Sequence, residues 1–119
     1  MLTTQKYLST PDLFQGKSQT VRDLYQVLLD KLNQFGPVQE TMQTIYVSLE
    51  NRKRFATALI RKRSIKLVLR TPFKITSPKI HSRAQVAANR YDHTVLISSN
   101  KDIDPELMEW LREAYLDSQ

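Results

Sequence analysis

From residue 21 onward the apolar residues recur at helical spacing. Val21, Leu24, Leu28, Leu32 and Phe35 form one stripe, and Tyr25 and Leu29 widen it. Thr20 is placed to cap this helix, with Asp23 three residues on as in a capping box. Gly36 and Pro37 end it, because glycine accepts a left-handed backbone after a last turn and proline cannot continue the ladder. Beyond Pro37 the period changes to alternation, with Ile45, Val47 and Leu49 on one side and Thr44, Tyr46 and Ser48 on the other. Polar breaks at Asn51–Arg54 and Arg61–Ser64 separate this strand from two more, Phe55–Ile60 and Ile65–Leu69, so a meander is expected. In the last of these, Ile65, Leu67 and Leu69 alternate with Lys66, Val68 and Arg70, giving one apolar face and one basic face.

Pro72 and Pro78 bracket a long connection, with one helical turn expected near Lys79–Ala84, and a fourth strand follows at His93–Ser98. The final helix is signed by Asp104 as cap, Pro105 at the first helical position and Glu106 at the positive end of the dipole. Its apolar stripe is Leu107, Trp110, Leu111, Ala114 and Tyr115. Two amphipathic helices and alternating strands predict an α+β fold: a four-stranded antiparallel sheet with an N-terminal and a C-terminal helix on one face.

The 119 residues suffice for one domain with a modest core, read as an extended arm over 1–17 and an α+β core over 18–119. No cysteine is present, which excludes disulfides, thiolate metal sites and cysteine nucleophiles. No apolar run approaches the ~20 residues of a membrane span, and Met1–Thr10 lacks a signal-peptide pattern, so a cytoplasmic protein is expected.

The net charge of +6 conceals a steeper distribution. Between Arg52 and Arg90 there are 12 Lys/Arg and no acid, whereas the flanks carry 6 basic and 12 acidic residues. Such asymmetry points to a polyanionic partner. The competing interpretation is internal, since the stretch Lys101–Gln119 holds six acids and can neutralise the basic middle within one fold.

The ordered series Asp12-Leu13-Phe14-Gln15-Gly16-Lys17, Phe35-Gly36-Pro37-Val38, Thr44-Ile45-Tyr46-Val47, Arg54-Phe55-Ala56, Asp102-Ile103-Asp104 and Trp110-Leu111-Arg112-Glu113-Ala114-Tyr115 resembles a bacterial domain-of-unknown-function family sometimes labelled a predicted transport protein. The resemblance runs from about Pro11 to Tyr115. It implies a small α+β domain similar to the YdhG-like domains and, more loosely, to the YjbR-like group described as candidate DNA binders. It implies no catalytic residues. Between Arg61 and Arg70 the chain is richer in Lys and Arg than the family pattern leads one to expect.

Enzymatic chemistry finds little support. His81 and His93 stand twelve apart without a His or Cys companion, so no metal or other cofactor is expected. Gly16 and Gly36 are the only glycines and cannot supply a phosphate-cradling loop, and no glycine-flanked serine elbow exists. Helix capping accounts for Asp102, Asp104 and Glu106. What remains is a basic strip: Arg52, Lys53 and Arg54 at one strand connection, Arg61, Lys62 and Arg63 at the next, and Lys66 and Arg70 on the exposed face. Tyr46 and Tyr91 are candidates for stacking, and Arg83 and His93 for a pocket. Three roles are compatible with this pattern: binding of nucleic acid or another polyanion; interaction with an acidic protein surface, including a second copy as homodimer; or a pocket for a small anionic ligand.

Overall fold

A computed structural model describes residues 13–119, so most of the arm expected over 1–17 lies outside the described residues. Residues 13–16 form a turn, and the Phe14 ring packs on Tyr25 at 5.2 Å between centroids.

The first helix, α1, runs Gln19–Leu32. Its cap is Ser18 and not Thr20: the Ser18 hydroxyl accepts from the Val21 N–H at 3.3 Å, and Thr20 lies exposed within the first turn. Two residues that can both cap stand two apart, and the one whose backbone is extended takes the role. Val21, Leu24, Tyr25, Leu28 and Leu32 are buried.

The sheet corrects the expected four strands to six. In chain order these are β1 (Gln39–Met42), β2 (Tyr46–Glu50), β3 (Arg54–Ile60), β4 (Ile65–Thr71), β5 (Ser82–Ala87) and β6 (Arg90–Ile97). All pairings are antiparallel, in the order β1-β2-β3-β4-β6-β5. The two additional strands are the edges. β1 is a short run of Gln39, Glu40, Thr41 and Met42, and every residue of β5 is exposed, so neither carries an alternation that burial would impose. The helical turn expected near Lys79–Ala84 is replaced by the start of β5, paired to β6 with Arg83 opposite His93. Ile45 is 65% exposed and precedes β2 instead of joining its buried side.

The second helix, α2, spans Pro105–Asp117 as its signals predict. The Asp104 carboxylate accepts from the Leu107 N–H at 2.9 Å and Pro105 occupies the first turn. Leu107, Leu111, Ala114 and Tyr115 are buried, whereas Trp110 is only partly so.

Cross-strand register identifies the face that both helices cover. Val47, Ala58, Leu67 and Val95 form one row across β2, β3, β4 and β6, and Leu49, Ala56, Leu69 and His93 form the next. All eight are buried against α1 and α2. Tyr115 anchors α2 at the end of this core: its hydroxyl donates to the Pro37 carbonyl at 2.8 Å and its ring meets Phe55 edge-on at 5.4 Å. Gly36, at φ +149°, makes room for that ring, since a Cβ there would lie 2.5 Å from the Tyr115 Oη. Gly36→Ala is therefore expected to destabilise the fold by more than about 1 kcal/mol, read as a lower urea midpoint at unchanged slope. An unchanged midpoint would show that α2 is not held through this contact.

Candidate functional site

The face opposite the helices is built by the alternate residues. Tyr46, Leu59, Lys66 and Leu96 form one row, Ser48, Thr57, Val68 and Thr94 the next, and Arg70 stands opposite Asp92 beyond them. A bulge in β3 extends this face. Leu49 pairs with Ala56 while Glu50 pairs with Arg54, so Phe55 is an extra residue. Strict alternation from Ile60, Ala58 and Ala56 would turn Arg54 into the core. The inserted residue instead sends Phe55 inward to Tyr115 and returns Arg54 to the outer face, where Nε donates to the Ser48 hydroxyl at 3.0 Å. The guanidinium carbon of Arg54 lies 5.6 Å from the Tyr46 ring centroid, and Ser48 passes the contact on to Glu50 at 2.8 Å.

The candidate residues separate into four places. Tyr46, Arg54, Lys66 and Arg70 share the outer face. Arg52 and Lys53 lie at the β2–β3 connection, while Arg61, Lys62 and Arg63 lie at the β3–β4 connection, at the opposite end of the sheet. The seven residues of β3 set these ends roughly 20 Å apart at ~3.3 Å per residue. His93, Arg83 and Tyr91 belong to the helix-covered side. His93 is fully buried and its Nε2 accepts from the Ile75 N–H at 2.9 Å, while Arg83 donates to the Ile75 carbonyl at 3.1 Å. The Tyr91 ring stands 6.3 Å from the His93 ring. His93 and Arg83 thereby pin the connection between β4 and β5 at Ile75.

Glu106, Glu109 and Glu113 of α2 pair with Lys79 and Arg112, while Asp117 at its end lines a cavity beside Arg54 and Arg70 without pairing with either. Lys79 pairs with Asp104 and with Glu106, the latter at 2.9 Å, and Arg112 pairs with Glu109 at 3.3 Å and Glu113 at 3.8 Å. The bond from Lys79, with the Leu107 N–H, holds the Asp104 carboxyl below its ordinary range. Arg70 is the one cation of the strip with a carboxylate partner, gripping Asp92 through Nε at 2.8 Å and Nη2 at 3.1 Å. Among the described residues, Arg52, Lys53, Arg54, Arg61, Lys62, Arg63 and Lys66 make no ion pair.

Arg90, which by sequence could only extend the basic band, comes to stand beside Arg54 and Arg70. The structure gathers them with Lys53 around a cavity of about 110 Å³ at the end of α2. A second cleft of about 40 Å³, between Arg54 and Arg70, adjoins Asp92. Arg90 opens β6 two residues before Asp92, the partner of Arg70 near the end of β4, so the antiparallel pairing alone would have placed them together had β6 been expected to begin there.

The chain belongs to the family described as domain of unknown function DUF5655, whose sequence model matches residues 10–118. No curated protein and no solved structure matches it. No helix among the described residues is long and apolar enough to cross a membrane.

Burial and the charge of Arg83 push the His93 imidazole below its ordinary 6.5, against the opposing effects of the Leu69 backbone and Asp92. A group whose folded value is depressed in this way is neutral in the core, and the unfolded chain takes up a proton that the native state refuses. Stability is therefore expected to fall as pH drops through 6.5. The urea midpoint should decrease between about pH 7.5 and about pH 5, and His93→Gln should flatten that part of the profile. A midpoint that holds level in the parent protein contradicts a neutral buried imidazole.

Proposed function

We propose that this protein is a cytoplasmic, non-enzymatic binding module whose outer sheet face takes a nucleic-acid strand or a comparable polyanion. The observation that carries this reading is the uncovered strip itself: Lys66 and Arg54 on the open face, Arg61–Arg63 and Arg52–Lys53 at its two ends, and no acid of α2 paired with any of them. Cations in such a row neutralise successive phosphates and gain from the release of counterions. Tyr46, with Arg54 against its ring, supplies a stacking surface beside the charges, and Leu59, Val68 and Leu96 add apolar contact. These features suit a splayed single strand better than a rigid duplex, whose grooves a flat sheet face does not enter. Nothing on the face is arranged to read base edges, so binding is indifferent to sequence. The looser resemblance to the YjbR-like group, described as candidate DNA binders, supports the same assignment.

A second reading has its own observation. Glu109 and Glu113 on α2 are 59% and 42% exposed, which gives the chain an acidic surface that a second copy's basic face can meet. The two readings part on mass across ionic strength, since a charge-driven homodimer dissociates as salt rises.

Four to six neutralised phosphates predict a log–log salt slope of about −3 to −4 on a single strand. The double substitution Arg61→Glu with Arg63→Glu is expected to weaken binding and heparin retention without altering the fold, because both side chains are exposed and unpaired. Retention unchanged from the parent protein, or a slope near zero, would contradict the reading.

A further inference from the structure

We propose that the cavity bounded by Lys53, Arg54, Arg70 and Arg90 binds a single phosphate monoester dianion, either free in solution or at the phosphorylated end of a strand. The strand-end form rests on the polyanion reading above, whereas the dianion site does not.

Size, charge and preorganisation agree. The cavity, about 110 Å³, has room for one tetrahedral oxyanion. Asp117 and Ser118 at the end of α2 line the cavity on one side. The four cations are opposed by Asp117 on the cavity wall and by Asp92 through its bond to Arg70, which leaves a balance of +2. A monoester carries about −1.5 to −2 at neutral pH, whereas an internal diester carries one charge, so the balance favours the monoester.

The donors are held ready. Arg70 spends Nε and one N–H of Nη2 on Asp92, and Arg54 spends Nε on Ser48, so most of each guanidinium fork stays available. The Lys53 N–H donates to the Ser118 carbonyl at 3.0 Å, which fixes its backbone against α2. The carboxyl end of a helix disfavours an anion. Here, however, its carbonyls are already occupied: Tyr115 accepts from the Ser118 hydroxyl at 2.6 Å, and Ser118 accepts from Lys53.

The test is a comparison of dissociation constants for single-stranded oligonucleotides with and without a terminal phosphate, at the 5′ or the 3′ end, alongside titration with inorganic phosphate. The phosphorylated strand should bind about tenfold more tightly, the worth of one or two charged hydrogen bonds. Arg90→Gln should shrink that ratio to within about twofold, and Lys53→Gln should do likewise; the Arg90 side chain makes no bond that the fold needs. Equal affinity for both strands, with no phosphate binding, would overturn the inference and leave the outer-face reading intact. Phosphate binding that Arg90→Gln abolishes, with no binding of either strand, would uphold the cavity and remove the outer-face reading.

Discussion

Two helices cannot cover both faces of a six-stranded sheet. Six strands at ~4.8 Å spacing are about 24 Å wide, and two helices of about 10 Å each side by side fill one such face and leave nothing for the other. Register decides which face they take. The rows through Val47, Ala58, Leu67 and Val95 and through Leu49, Ala56, Leu69 and His93 lie against α1 and α2. Whatever alternates with those rows is thereby handed to the opposite side, and in β4 that means Lys66, Val68 and Arg70. The basic face is thus a consequence of one-sided burial, and the same hydrophobic contacts that stabilise the core expose the charge.

The bulge in β3 carries that logic to the end of the sheet. One inserted residue, Phe55, fills the core beneath Tyr115 and returns Arg54 to the outer face, where Ser48 and Tyr46 hold it. Arg54 can then meet Arg70 from the adjacent strand and Arg90 from the start of β6. Like charges gathered this closely repel one another unless something opposes them. Asp92 on Arg70 and Asp117 on the cavity wall offset part of the repulsion, and the proposed phosphate would offset the rest. Meanwhile Lys79 engages Asp104 and Glu106, and Arg112 engages Glu109 and Glu113, so of the acids of α2 only Asp117 stands beside the basic residues, at one end of the face.

Both helices, the central strands and the side on which the helices lie were legible in the chain, because each depends on periodicity or on local capping chemistry. Asp104, Pro105 and the stripe through Leu107 and Leu111 are such signals, and α2 begins where they say. The edge strands were not legible for the complementary reason. β5 buries nothing, so its Ser82–Ala87 sequence bears no imprint of a face, and β1 is four residues long. Ser18 and Thr20 are both good caps, and only the backbone chooses between them. The basic strip could be read as composition, but not its division between two ends and a face, nor the pairing of Arg70 with Asp92 twenty-two residues away. Likewise Arg83, Tyr91 and His93, candidates for a pocket or for stacking, stand on the side of the sheet that the helices take once β5 and β6 pair, and His93 alone of the three is buried.

We place the polyanion on the uncovered side of the sheet. Backbone amide shifts of the isotopically labelled protein, followed while a single-stranded oligonucleotide is titrated in, test it residue by residue. The predicted result is a set of perturbed amides confined to Tyr46, Thr57, Lys66, Val68, Arg70 and the two basic turns, with the exposed residues of α1 and α2 unmoved. Perturbations clustered on the helices, or none at concentrations where heparin is bound, would contradict the account.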